Sequence, residues 1–303
     1  MATAEPYLPL QVGKEIATTD LGIAGDNEGE NISAKNRSYC ELTGMYWAWK
    51  NLKRTDIVGL CHYRRYFDFH NISPMPDPMA KVPSGRFASL DLSVPDSVLE
   101  RVELGGIVVS TDMRFPYPVF VAYCISHYSD DLRTLRDIVL ERCEEKYHAA
   151  FDHAIYRRNK LSPYNMFIMR WSDFSDYCSW LFDILAEAER RIDISRYSDD
   201  QKRIWGFMAE RLFNVWLLAN HKQTIKKSVI WIDDNTGAPK NRLRMALHNF
   251  KLDLCNRLMR IAPAPEQEAA NATKAFPAKQ QESTSRHAGK TITGLVKIIT
   301  GKK

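Results

Sequence analysis

The sequence predicts an α/β protein: a mixed, mainly parallel sheet flanked by helices, followed by a basic helix and a tail. Three observations predict it. Short apolar runs of strand length alternate with helix-length segments. The first of these runs breaks off in a block of polar and aromatic residues, as happens where an open α/β sheet presents its carboxyl edge to a ligand. Charge is also split along the chain: residues 240–303 carry a net charge of +9 and residues 1–239 a net charge of −4.

The elements follow in order. Residues 1–35 are rich in Gly, Asp and Asn and lack periodicity, so they read as a loop able to wrap a ligand or as a plain surface loop. A helix over Tyr39 to Lys53 is expected next, capped by Asn36 or Ser38, with Glu41 three residues after Ser38 as in a capping box. Ile57-Val58-Gly59-Leu60-Cys61 reads as a buried strand that ends in His62-Tyr63-Arg64-Arg65-Tyr66-Phe67. Five prolines make residues 71–97 a long excursion. Gly105 to Ser110 and Tyr164 to Met169 are further strands, the latter with a polar start. Residues 119–145 read as one helix, which would put Tyr123, His127 and Asp131 on a single face. Residues 172–190 and 198–220 are expected helices, and Val229 to Ile232 a short strand. Residues 240–261 repeat apolar side chains at 243, 247, 250, 254, 258 and 261, a helical period with Arg242, Arg244, Lys251, Arg257 and Arg260 between them. Residues 262–290 have a disordered composition, and Thr291 to Lys303 could form a short amphipathic piece.

Composition excludes several classes. With 45% hydrophobic and 26% charged residues, the chain can build a sizeable core. No apolar stretch is long enough for a transmembrane helix, and the first residues do not resemble a signal peptide. The six cysteines are scattered without a C-x-x-C pair, which fits a reducing, cytoplasmic setting. The acidic body argues against a nucleic-acid binder. P-loop, dinucleotide-binding, zincin and nucleophile-elbow motifs are all absent.

Arg64 and Arg65, directly after a buried strand, could hold phosphate oxygens with guanidinium forks, or could pair with acids such as Asp56 or Asp68. Glu210 is the first choice for a general base, with Arg211 beside it for a phosphate or acid; a structural Glu–Arg pair is the alternative. His127 and Asp131 are the second choice, as a hydrogen-bonded unit or a satisfied surface pair. Asn165 could hold an acceptor hydroxyl or form a turn. Tyr46, Trp47 and Trp49 could stack on a base or sugar, but at helical spacing they read more readily as core.

The runs Asp26…Asn31-Ile32-Ser33…Asn36…Tyr39-Cys40-Glu41-Leu42-Thr43-Gly44…Tyr46-Trp47-Ala48-Trp49-Lys50-Asn51 and Gly59-Leu60-Cys61-His62-Tyr63-Arg64-Arg65-Tyr66-Phe67 resemble a bacterial glycosyltransferase family. That family, long labelled only as a domain of unknown function, belongs to capsular, exopolysaccharide and O-antigen biosynthesis. The resemblance continues through Tyr123…His127…Asp131-Leu132, Asn165 to Met169, and Arg203 to Leu212, covering about residues 6–235. It implies a GT-A-like nucleotide-sugar fold over residues 1–239, then the basic helix 240–261 and a flexible tail 262–303. It also implies transfer of a sugar, from a UDP-linked donor such as UDP-galactopyranose or UDP-galactofuranose, to a glycan or lipid-linked acceptor. A non-catalytic glycan- or nucleotide-binding subunit is the alternative.

Carried onto this sequence, the resemblance implies donor contacts from Asp26, Asn31, Asn36, Glu41, Thr43, His62, Arg64, Arg65 and Arg211, and acceptor contacts from Asn165 and Arg203. Catalysis is expected from Glu210, with Asp131 and His127 as the second choice. Family members usually begin with a further strand ending in a His-Lys pair, whose place would be central in the donor half. Only six residues precede Tyr7 here, so either the start is truncated or misassigned, or the domain does without that strand. No Asp-x-Asp occurs, so arginines could take over a metal's charge. No cofactor is required by the motifs; Mg²⁺ or Mn²⁺ stays open, with Asp68-Phe69-His70 and Asp26-Asn27-Glu28 as candidate ligands. The basic helix and tail, 240–303, could bring the protein to the anionic inner face of the cytoplasmic membrane, or the helix could pack on the body.

Overall fold

The computed structural model describes residues 7–72, 79–235, 242–259 and 295–300. The expected disorder of residues 262–290 lies outside these residues. The chain begins with strand β1 (Tyr7–Gln11), the two-residue β2 (Ala24–Gly25), and helices α1 (Asn36–Tyr39) and α2 (Leu42–Asn51). Strand β3 (Ile57–His62) turns tightly into β4 (Arg65–Phe67). Then come β5 (Met79–Val82), α3 (Asp96–Glu103), β6 (Ile107–Ser110) and β7 (Met113–Arg114). Helices α4 (Val119–Ser126), α5 (Ser129–Arg142) and α6 (Glu145–Phe151) lead to β8 (Lys160–Leu161) and β9 (Phe167–Arg170). Helices α7 (Trp171–Arg191) and α8 (Ile204–Ala219) precede β10 (Thr224–Lys227) and β11 (Val229–Ile232). Helix α9 (Arg242–Met259) and strand β12 (Leu295–Thr300) complete the described elements.

The main sheet has the order β10-β6-β9-β3-β12-β1-β2. β1 pairs parallel with β2 and β10 parallel with β6, whereas β9 and β12 run antiparallel to both of their neighbours. The direction shared by β2, β1, β3, β6 and β10 is therefore interrupted by two reversed strands. A second leaf, β5-β11-β4, grows from the turn after β3, where His62 pairs with Arg65.

Both faces of the sheet are covered, so its central strands are apolar on both sides. Val58, Leu60, Ile107, Val109, Phe167 and Met169 face a core shared with α2 and α4 to α8. Ile57, Cys61, Val108 and Ile168 face a smaller core closed by α3 and the second leaf. Helix α7 shows why its sequence folds as it does. Phe174, Tyr177, Cys178, Leu181, Ile184, Leu185 and Ala188 are buried at spacings of three and one, a single stripe on a 3.6-residue helix.

Several expectations need correction. The helix over Tyr39 to Lys53 is broken: Cys40 adopts φ 52 and ends α1, and α2 starts after Glu41. Ser38 bonds back to the Lys35 carbonyl, so no capping box forms. The helix over 119–145 is also broken. His127 is extended at the end of α4, and α5 restarts with Asp130 and Asp131 in its first turn, where negative charge is favoured. β1 and β10 went unrecognised in the loop-like start and in the polar run Thr224-Ile225-Lys226-Lys227. Residues 295–300 form a strand where an amphipathic piece was expected, and they occupy the sheet position between β1 and β3.

Candidate active site at the Tyr164–Asn165 turn

The carboxyl ends of β3 and β6 and the amino end of β9 meet along one edge of the sheet. There Tyr164 and Asn165, immediately before β9, take φ values of 79 and 50. Two consecutive non-glycine residues in the left-handed region are costly, and such strain persists where the surroundings fix it, commonly at functional sites. Three elements fix it here. The Tyr164 amide donates to Glu210 Oε1 at 2.8 Å from α8. The Tyr164 carbonyl lies 2.7 Å from His62 Nε2 at the end of β3. Asn165 Nδ2 donates to Glu41 Oε1 at 2.7 Å and to the Gly206 carbonyl at 3.3 Å. A carbonyl only accepts, so His62 carries its proton on Nε2 and leaves Nδ1 as an acceptor. Burial holds the His62 imidazole below its ordinary pKa, against the raising influence of Glu41 and Glu210.

Cations surround this turn. The Arg65 guanidinium lies 4.8 Å from the Tyr164 ring centre and 5.3 Å from that of Trp231. Its Nε is buried with no hydrogen-bond partner among the described residues. Arg64 is exposed and lies over Tyr63, with Asp233 and Asp234 in its field. Neither arginine forms the pair with Asp56 or Asp68 that the sequence allowed. Arg211 donates to Glu210 Oε2 at 3.0 Å and to the Phe207 carbonyl, and lies over the Tyr123 ring; its Nε is also buried without a partner. Arg203 reaches Cys40 Sγ at 3.4 Å and lies near Glu41. Arg203 and Arg211 thus lie by the two carboxylates and Arg65 lies on the Tyr164 ring, and the Asn165 Oδ1 acceptor is buried without a partner among the described residues.

The other sequence candidates are placed differently. Asp26 is fully buried and accepts from the Gly13 amide at 2.9 Å, the Lys14 amide at 3.1 Å and the Ser33 hydroxyl. It clamps the first loop, and its oxygens are filled by the chain's own donors. Asn31 bonds the carbonyls of Asn27 and Gly29 and accepts from the Ser33 amide, an arrangement within that loop. Asn36 bonds the Cys40 carbonyl and Thr43 Oγ1 beneath Gly13, whose φ of 67 and 2.6 Å clearance to Asn36 leave no room for a side chain. Thr43 is buried. Tyr46 and Trp49 pack on Phe182, and Trp47 donates to the Glu28 carbonyl, so these rings serve the core and its margin.

His127 and Asp131 do not bond each other. Asp131 accepts from Tyr197 at 2.6 Å, and burial raises its pKa to about 6. His127 bonds Gln201 and stacks between Tyr123 and Phe207; burial lowers its pKa to about 4. Asp131 thus lies apart from the turn, while His127 borders it through Phe207. The candidate metal ligands are engaged elsewhere: Asp68 accepts from the Ile72 amide, and His70 faces Ser93 and Asp91. Among the described residues no three His, Cys, Asp or Glu side chains are gathered to hold an ion. The sequence reading missed Tyr164 as the hub, and Trp231 and Tyr123 as the rings beneath the arginines. A tyrosine before an asparagine at a strand start carries no signal of left-handed backbone.

This is an α/β domain with a basic, strained turn at the carboxyl edge of its sheet, and comparisons give the class a family. Residues 1–222 match the family described as Domain of unknown function (DUF4422), and the chain belongs to it. It is also similar to the apo structure of WbbM, a bifunctional glycosyltransferase, with a TM-score of 0.64 and 27% identity. That match covers 74% of this chain and 42% of WbbM, so the chain spans well under half of that protein's length. No curated protein matches.

Proposed function

We propose that residues 7–235 form a glycosyltransferase domain of GT-A type, transferring a hexosyl group from a nucleotide sugar to a glycan or lipid-linked acceptor in surface-polysaccharide assembly. The observation that carries it is the Tyr164–Asn165 turn, where two carboxylates and three guanidiniums converge on the carboxyl edge of the sheet. The similarity to a bifunctional glycosyltransferase supports the same reading. UDP-galactose, in pyranose or furanose form, is the donor this reading favours.

The chemistry follows from the groups present. Departure of a nucleoside diphosphate builds negative charge on its phosphate oxygens, and Arg65 offers them an unpaired Nε–H from a guanidinium held between two rings. Arg64, exposed beside it, adds a second cation. Asn165 Oδ1 can accept from a sugar or acceptor hydroxyl. Glu210 takes the acceptor proton in an inverting transfer. One hydrogen bond on each oxygen orients it and leaves lone pairs to accept. No step here needs a divalent metal, so turnover should continue in excess EDTA; loss of activity restored by Mn²⁺ or Mg²⁺ would return Asp68, His70 and Asp26 to consideration.

The test is turnover of Glu210→Gln and Glu41→Gln with nucleotide sugar and acceptor. Glu210→Gln should lower kcat by about 10²–10⁴-fold with donor affinity retained. If Glu41→Gln alone abolishes turnover, the base is Glu41. If both variants turn over normally, the base is Asp131 or the transfer is retaining; if the wild type binds nucleotide or glycan with no turnover at all, the other reading holds, a non-catalytic nucleotide- or glycan-binding subunit.

Helix α9 supports a site of work at a cytoplasmic membrane surface. Its polar side docks: Asp253 takes Arg114 at 2.6 Å and Asn159 at 3.1 Å, and Asn256 is buried. Its apolar stripe, Leu243, Leu247, Phe250, Leu254 and Leu258, is exposed, with exposed Lys251 and Arg257 beside it. No helix among the described residues is long and apolar enough to cross a membrane. An outward apolar stripe with basic neighbours fits the interface of an anionic bilayer.

A further inference from the structure

The main sheet is held together at its centre by its most remote segment. β12 forms five-residue ladders with both β1 and β3: Leu8 pairs with Ile298 on one side, and Leu60 pairs with Ile298 on the other. β1 and β3 do not pair with each other in the described sheet. The remaining ladder of β1 is a two-residue contact with β2. Without β12 the sheet falls into two pieces, β1-β2 and β3-β9-β6-β10. Each piece would then present an unpaired row of backbone groups to the gap.

The strand's position also bears on the site. Leu295 lies opposite Gln11, and Val296 lies opposite His62. The Gln11 carbonyl accepts from the Asp26 amide, and Asp26 clamps the loop at Gly13 and Ser33. β12 therefore starts at the carboxyl edge, between the clamped first loop and the His62 corner. It arrives there from α9 through residues 260–294, whose Ala, Pro, Glu, Gln and Lys content is that of a linker. Its own sequence, Leu-Val-Lys-Ile-Ile-Thr, is dominated by β-branched residues suited to a strand.

We propose that the gap between β1 and β3 is a strand-acceptor site, that its occupant is this chain's own residues 295–300, and that seating the strand couples the first loop to the His62 corner and so completes the nucleotide-sugar site. The last clause rests on the function proposed above; the docking does not. A tethered strand reaches its slot at an effective concentration in the millimolar range, so the cis arrangement outcompetes a strand from another copy in dilute solution. A central strand joined by a long linker is also the last ladder to close, because the whole chain must be looped to form it.

The test uses the full chain carrying Leu8→Cys with Ile298→Cys, and each single variant as control. Opposed residues of an antiparallel pair approach closely enough for a disulfide. Mild oxidation at micromolar protein should give an intrachain crosslink in the double variant alone, and the locked form should melt about 5 °C or more higher. A crosslinked dimer would overturn the cis occupant, and the absence of any crosslink would overturn the docking. Full-chain Ile298→Asp, which replaces a β-branched residue with a poor strand former in the middle of both ladders, should lower the melting temperature and weaken UDP binding about tenfold, while the unlinked hexapeptide of residues 295–300 at millimolar concentration restores both. A melting temperature that falls and recovers while UDP affinity stays at the wild-type value would overturn the coupling. If neither wild type nor variant binds UDP, the crosslink and the melting temperatures still decide the docking, and it is the nucleotide-sugar reading that has failed.

Discussion

Buried Asp131 and half-buried His127, near the end of α4, work against each other. Asp131 is held up to about 6, so its folded form binds a proton that the unfolded chain has lost between about pH 4 and 6. It therefore costs stability as pH rises through that window. His127 is held down to about 4, so the unfolded chain takes up a proton between about pH 6.5 and 4 that the folded form refuses. Its stability contribution is complete above pH 6.5 and is lost as pH falls. The two slopes oppose over the shared window. Asp131→Asn, which keeps an acceptor for Tyr197, should gain melting temperature relative to wild type as pH rises from 4 to 6. His127→Gln should show a difference of the opposite sign. Parallel curves for wild type and both variants would contradict the burial of these groups. Asp26 makes a third point at this scale. Asp26→Ala strands three donors, each costing about 1–3 kcal/mol when buried and unmet, so a loss of about 3 kcal/mol or more is expected in urea unfolding. Little of this could be read from the sequence. Arg65 stood out as charge after an apolar run and Glu210 as a carboxylate after Gly206-Phe207, whereas Asp26 and His62 entered through the resemblance, and Asp26's partners, two backbone amides and the Ser33 hydroxyl, leave no mark in a side-chain pattern.

Elements were legible wherever periodicity was undiluted. β3, β6, α7 and α9 follow their apolar runs within a residue or two. The errors fall where a local break overrides the period. Cys40 turns left-handed and His127 goes extended, each splitting a helix that the apolar spacing alone would continue. β10 was missed because Thr224, Lys226 and Lys227 are polar, although its backbone pairs with β6. For α9 the period was right but the sequence did not say which side faces the body. Asp253 and Asn256 dock, so the leucines point outward. The expected consequence is measurable by liposome flotation: binding that requires anionic lipid, weakens with salt, and falls about tenfold or more on Leu247→Ser with Phe250→Ser. A chain that ignores anionic vesicles at low salt leaves α9 as a structural appendage.

At the scale of the molecule, a sheet carrying the chain's last described strand at its centre supports an edge on which residues from β3, the pre-β9 turn, α2 and α8 converge. The sequence could place each of these near a strand or helix end, but not against one another, because the strained turn that gathers them is invisible to pattern. The central claim is that this edge binds a nucleotide sugar through Arg65. Titration calorimetry of wild type and Arg65→Ala with UDP and UDP-sugars tests it most directly, with circular dichroism to show that the variant is folded. A lost charge-assisted contact costs about 1.5–3 kcal/mol, so affinity should fall at least about tenfold while the fold survives. Equal affinity in wild type and Arg65→Ala, or no nucleotide binding by the wild type, would contradict it.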